Sequence, residues 1–378
     1  MTAIAFRGKA VIGTHTEEST IIVEDGIIQS IDRSLLPDGN LPAKIIDADM
    51  ITPGLIDLQV NGGFGVEVTP NPDEINLISR ESLKTGVTAW LPTVVTSAAE
   101  SYPPVFEAWS KHDAHAGATP LGYHLEGPFI TLEKKGAHNP RFIEAASEDL
   151  FHSWLEQDSI RLVTLSPERE HGIRRIREMV ERGILVSLGH TNSTYEEFVA
   201  GIDAGARKAT HLFNAMSSIH HRAPGAMVAT LVDDRVTAGL IPDGVHSHPA
   251  TVRLAIKTKG IDGIVIVSDM MAACGLGPGT YPLGTMQVTV DEESARLEDG
   301  TLAGSILTMD QALRNLVDWS ECTPAEAIHM MTAVPARLLD DSSRGRLVVG
   351  ARADITTWSA DLQATNTIVG GQLRWSAG

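Results

Sequence analysis

Residues 183–215 read GILVSLGHTNSTYEEFVAGIDAGARKATHLFNA. The run GILVSLGH (183–190) is short and apolar. TYEEFVAGIDAG (194–205) is amphipathic and stops on glycine, as helix C-termini commonly do, and KATHLFNA (208–215) is a second apolar run. A strand, a helix and another strand in this order form a β-α unit of a parallel sheet. The texture recurs on both sides: GLIDLQVNG (54–62), VTAWLPTVV (87–95), PLGYHLEG (120–127), IRLVTLSPE (160–168), VTAGLIPDGVH (236–246) and GIVIVSDM (263–270) bring the expected strands to eight. PDEINLISRESLKTG, IRRIREMVERG and HPATVRLAIKTKG supply helices between them. Eight such units predict an α/β chain with a (β/α)8 TIM barrel, a fold of typically about 250 residues, here over residues 53–335.

The two ends of the chain differ from this centre and match each other. AIAFRGKAVIG, TIIVEDGIIQSID and AKIIDADMI precede Pro53, while GRLVVGARADITTWS and NTIVGGQLRWS close the chain. These segments are β-like, broken by turns. Residues 1–52 and 336–378 are therefore expected to share one small β-sandwich domain.

The 378 residues carry 30 Lys+Arg against 48 Asp+Glu, a net charge of −18. That balance argues against gripping nucleic acid or an anionic membrane surface. Two cysteines, Cys274 and Cys322, cannot build a disulfide framework or a cysteine-based zinc site, so any metal needs other ligands. The first residues lack a secretory pattern, and no apolar run approaches the roughly 20 residues that span a bilayer. A cytoplasmic protein is expected.

Active sites of such barrels lie at the C-terminal strand ends, and these strands end on an unusual set: Gln59 and Asn61, Thr93, Glu126, Glu168, His190, His211, His246 and Asp269. A carboxylate and two or three imidazoles at one mouth are ligands for one divalent transition metal, zinc first, with iron, cobalt and manganese suited to the same donors. Glu126, His190 and His211 read as three ligands that leave a position for water. His124 shares a face with Glu126 one layer deeper and is assigned to a polar layer beneath the site. Asp269 ends an apolar strand, where a carboxylate needs a partner or a task. The expected task is general base and then general acid, once a metal has lowered the pKa of its water from about 15.7 towards roughly 7.

Seven motifs follow in order from about residue 51 to 310: PGLIDLQVNG, LEGPF with KKGAHN, LGHT, THLFNAM with HRAPG, DGVHSHP, SDMM and LAGS. Together they resemble the N-acetylglucosamine-6-phosphate deacetylase family of the amidohydrolase superfamily. The resemblance implies hydrolysis of the acetamide of N-acetylglucosamine 6-phosphate to glucosamine 6-phosphate and acetate, in amino-sugar catabolism and cell-wall recycling. It implies Glu126, His190 and His211 as metal ligands, Asp269 as acid/base and His138 beside the scissile amide. Asn214 and Ala215 would meet the sugar phosphate, with His246 a further phosphate contact; separately, the LAGS turn, Leu302 to Ser305, is expected to close over the acetyl group. Arg222 would reach the phosphate from a neighbouring subunit, which implies a homodimer. His220 and His221 are not fixed by it and stand as phosphate neighbours or plain loop residues.

Two departures stand out. Many amidohydrolases place His-x-His on the first strand for a second metal, whereas this chain has Gln59-Val60-Asn61. Amides bind divalent metals less well than imidazoles, so one tightly held ion is expected. Met270-Met271 follows the acid/base where a smaller residue is expected, which bears on acyl-group tolerance. The competing readings are an amidohydrolase acting on a cyclic amide or an N-acyl amino acid, and a silent scaffold. The former would usually keep His-x-His and need no phosphate set. The latter would not need both the ligands and Asp269.

Overall fold

The structure, a computed structural model, describes residues 3–113 and 115–378. Its centre is a barrel of parallel strands hydrogen-bonded in chain order: β1 Leu55–Val60, β2 Val87–Val95, β3 Tyr123–Glu126, β4 Ile160–Leu165, β5 Leu185–Leu188, β6 Lys208–Ala209, β7 Thr237–Leu240 and β8 Ile264–Ile266. Each lies within one of the eight apolar runs. The ring is nearly closed. Past the ends of β8 and β1, Val60 bridges Met270, the Asp269 amide donates to the Gln59 carbonyl at 2.9 Å, and the Asn61 amide donates to the Met270 carbonyl at 2.9 Å.

Local chemistry sets the helices between strands. Tyr195–Asp203 begins with a capping box, Thr194 accepting from the Glu197 amide while Glu197 accepts from the Thr194 amide, which satisfies two N-terminal donors at once. Pro249–Lys259 starts with proline in its first turn and stops at Gly260, whose φ of 68° is one that L side chains avoid.

Barrel interiors are usually filled by branched apolar layers. Here a polar layer lies beneath the strand ends. His124 Nδ1 is 3.3 Å from Thr93 Oγ1 and its Nε2 is 2.8 Å from Thr164 Oγ1, which in turn meets Thr210 Oγ1 at 2.7 Å. Ser187 Oγ joins Thr210 at 2.5 Å. Burial pushes the His124 pKa down to about 3, so this imidazole is neutral.

Both chain ends form a second sheet, one continuous path of seven strands in the order Gln372–Ser376, Ala364–Val369, Ile355–Trp358, Lys44–Pro53, Ile4–Ile12, His15–Glu24 and Ile27–Asp32. Alternation along the strands divides its faces. Ile51 and Ile355 join Phe6, Ile21 and Ile368 in the sheet's own core, whereas Met50 and Trp358 join the barrel core. Trp358 Nε1 also donates to Thr52 Oγ1 at 2.8 Å. GRLVVGA (345–351), read as β-like, is a turn instead: Gly345 and Gly350 have φ of 75° and 88°, and only Leu347 of the Leu-Val-Val run is buried.

No strand is expected from the sequence between β8 and the β-like C-terminal segments, yet Gly279–Leu283, Met286–Val290 and Ala295–Arg296 form a three-stranded antiparallel sheet. Met271, Leu283, Val288, Val290 and Ala303 form its small core. Among the described residues no helix is long and apolar enough to cross a membrane.

Candidate active site

Glu126 is the last residue of β3, while His190 and His211 each lie two residues beyond β5 and β6. The two histidines and Asp269 have positive φ, at 48°, 28° and 53°, a backbone region sparsely used by non-glycine residues that turns each chain just past its strand end. Glu168 holds one of these turns. Its Oε2 accepts from Thr191 Oγ1 at 2.6 Å and its Oε1 from the Asn192 amide at 2.8 Å, so this strand-end carboxylate serves the loop after His190.

Three donor atoms converge. Glu126 Oε1 lies 3.4 Å from His190 Nε2 and 3.2 Å from His211 Nε2, and the two Nε2 atoms are 3.1 Å apart. His190 Nδ1 is 2.8 Å from the Lys134 carbonyl and His211 Nδ1 is 3.2 Å from the Asn214 carbonyl. A carbonyl accepts only, so each Nδ1 carries the hydrogen and each Nε2 offers its lone pair. A tetrahedral ion with bonds of about 2.0–2.2 Å spaces its donors roughly 3.3–3.6 Å apart, and the three atoms fit that requirement with slight opening. Burial would raise the Glu126 pKa, but the two imidazoles of His190 and His211 set against it hold it well below the usual carboxylate range.

His138 stands beside this set. Glu126, His138 and His190 place ligand atoms within 4.8 Å of one another, and the His138 and His190 rings are 4.4 Å apart, edge to face. His138 Nδ1 meets Thr96 Oγ1 at 2.7 Å, a partner that sequence reasoning did not pick out. Burial pushes the His138 pKa down to about 3, with the nearby His190 acting in the same direction. The donor chemistry and spacing suit a divalent metal, with Glu126 and a choice among three imidazoles as the ligands on offer.

Asp269 follows β8 and is fastened by two carboxamides, Gln59 in β1 and Asn61 just past its end. Gln59 Nε2 donates to Asp269 Oδ1 at 2.9 Å and to Glu126 Oε1 at 3.0 Å, and Asn61 Nδ2 donates to the same Asp269 Oδ1 at 2.8 Å. Oδ2 carries none of these bonds. Burial, reinforced by the charge of Glu126, pushes the Asp269 pKa up to about 6.

These groups lie at the floor of a cavity of about 760 Å³. His138, Asn214, Ala215, His246 and Leu302 all line it, as do Leu283 and Met286 from the three-stranded sheet. His246 Nδ1 meets Asp243 Oδ2 at 2.6 Å; burial opposes a charge on the ring, but Asp243 holds its pKa above the ordinary range. Arg222 does not line the cavity. It is exposed on the loop that follows, its Nη1 2.7 Å from His221 Nε2, and the His220 and His221 rings pack 4.6 Å apart on the same loop. Met270 and Met271 are buried away from the cavity lining, Met270 over Gly63 and Met271 in the core of the three-stranded sheet.

The amidohydrolase family profile matches residues 50–374. An N-acetylglucosamine-6-phosphate deacetylase of Danio rerio is 36% identical over 93% of this chain and 92% of its own length. An N-acetylgalactosamine-6-phosphate deacetylase of Escherichia coli is 35% identical over 94% of this chain and 95% of its own. Among solved structures, an aspartate-to-alanine mutant of the N-acetyl-D-glucosamine-6-phosphate deacetylase of Mycobacterium smegmatis, in complex with N-acetyl-D-glucosamine-6-phosphate, superposes with a TM-score of 0.92 at 29% identity, covering 99% of both chains. The chain belongs to the amidohydrolase family and, within it, to the N-acetylglucosamine-6-phosphate deacetylases.

Proposed function

We propose that this chain hydrolyses the acetamide of N-acetylglucosamine 6-phosphate to glucosamine 6-phosphate and acetate. The observation that carries the reading is the fastening of Asp269 beside the Glu126–His190–His211 donors, at the floor of a cavity walled by Asn214, Ala215 and His246. Glu126, His190 and His211 hold one divalent ion, zinc by preference. When bound, the ion supplies a Lewis acid that lowers the pKa of water towards about 7.

Asp269 acts at Oδ2, because Oδ1 is engaged by Gln59 and Asn61. A water oxygen adds to the acetyl carbon, Asp269 takes the proton released, and the same proton goes to the nitrogen as the C–N bond breaks. His138, neutral and steadied by Thr96, orients the acetyl carbonyl. The phosphate is met by His246, whose positive form is favoured by Asp243, by Asn214 and by the backbone at Ala215. Arg222 completes the phosphate site across a homodimer interface, which accounts for its standing outside the cavity of its own chain. Leu302 covers the acetyl methyl. A cytoplasmic location belongs to this reading, since a sugar phosphate does not cross a bilayer unaided.

The Escherichia coli relative supports a second reading, the galactosamine epimer as substrate. Incubating zinc-loaded protein with each N-acetylhexosamine 6-phosphate and measuring acetate release tests both. Release from the gluco epimer, lost on chelation and restored by zinc, is expected. A faster reaction on the galacto epimer would transfer the assignment to it.

A further inference from the structure

Lys208, on β6, is a buried cation that the reading above leaves unused. It exposes none of its surface, and its Nζ has no hydrogen-bond partner among the described residues. Room for the ammonium comes from Gly239 on β7. A Cβ there would lie 3.1 Å from Nζ, 3.0 Å from the Ala209 carbonyl and 3.2 Å from the His211 amide, so any larger residue crowds both the lysine and the turn that carries His211.

Three buried carboxylates favour the charge on Lys208: Glu126, Asp269 and Asp57. Asp57 is one layer below Gln59 on β1 and accepts at Oδ1 from the Gln59 and Ser268 amides, both at 3.2 Å. An ammonium without direct bonds is retained in such an interior only if surrounding charge compensates its lost hydration. Burial pushes the Lys208 pKa down to about 8, with the carboxylates opposing that fall, so it is charged at neutral pH.

We propose that Lys208 is the fixed counter-cation of the metal centre, seated in the space left by Gly239, and that its charge limits how tightly the centre holds its ion. The proposal rests on the reading of Glu126, His190 and His211 as metal ligands. Three carboxylates and one ammonium leave two negative charges, which a single divalent ion neutralises. The ammonium stabilises the metal-free state and repels the incoming ion, so removing it strengthens metal binding. Asp57 acts with the opposite sign.

The test is a zinc titration against a competing chromophoric chelator, with melting temperatures of zinc-free and zinc-loaded protein measured in parallel. Lys208→Met keeps an unbranched side chain, one atom shorter, and removes the charge; it should bind zinc at least tenfold more tightly and widen the gap between the two melting temperatures. Asp57→Asn should bind zinc at least tenfold more weakly and narrow that gap. A lysine that merely fills space would shift both melting temperatures equally and leave affinity unchanged. Parent protein that takes one zinc, with both variants within twofold of it, would overturn the inference. Parent protein that takes none would instead overturn the ligand assignment beneath it. Should Lys208→Met not fold, Lys208→Gln and Asp57→Asn carry the same comparison.

Discussion

Asn61 Nδ2 and Asp269 Oδ1 meet at 2.8 Å across the seam where the first and eighth barrel strands come together. Gln59 reaches the same oxygen and also bridges to Glu126. The carboxamides that stand where many amidohydrolases have His-x-His therefore have a structural task of their own. They fix one carboxylate oxygen and leave the other, on which the proposed proton transfer depends, outside their bonds.

Asn61→Ala should consequently lower kcat by roughly tenfold to a hundredfold while leaving KM within about threefold, because loss of positioning penalises the transition state more than ground-state binding. Steady-state kinetics check the split. A change confined to KM would place Asn61 in substrate binding instead.

The Asp269 pKa of about 6 gives a pH dependence with a definite sign. The residue must be ionised to accept a proton, so kcat/KM should fall as pH drops through about 6 and hold above it. Asp269→Asn should lose about 10²-fold to 10⁴-fold in kcat, the usual contribution of a positioned acid/base, and should lose that acidic limb. A variant that keeps both rate and limb removes Asp269 from proton transfer.

His138 and His211 both border the donor set, and their alanine variants separate the roles. His211→Ala should lose its zinc on dialysis, whereas His138→Ala should keep it and lose kcat. Elemental analysis of dialysed protein decides the matter. Zinc lost from His138→Ala and retained by His211→Ala would make Glu126, His138 and His190 the ligand set.

Arg222 is expected to act across a dimer interface, and two dead variants can test that by complementation. Arg222→Ala and Asp269→Asn, unfolded together and refolded, should give mixed dimers with one intact site each, restoring about a quarter of parental activity if pairing is random. Activity no higher than the sum of the separate variants would mean that Arg222 serves its own chain or none.

The barrel was legible because period and length act locally: each strand is an apolar run, and each helix carries its own stop, as at Gly260. The convergence of Glu126, His190 and His211 was legible because a histidine or carboxylate at the end of an apolar run is chemically out of place. The fastening of Asp269 was not, since Gln59 and Asp269 are 210 residues apart and meet only when the ring closes. The three-stranded sheet was missed because its strands are five residues or fewer and its core borrows Met271 and Ala303 from flanking loops. Lys208 reads in sequence as a solvated cation beside a strand, and only Gly239 on the next strand makes room to bury it.

The proposed function joins a metal-dependent deacetylase site to a phosphate site. Its most direct test is kcat/KM of the zinc-loaded protein on N-acetylglucosamine 6-phosphate and on unphosphorylated N-acetylglucosamine, assayed side by side. A site built around a charged group discriminates strongly against substrates lacking it, so a preference of at least about a hundredfold for the phosphorylated sugar is expected. Equal values on the two sugars would mean that the cavity does not recognise the phosphate.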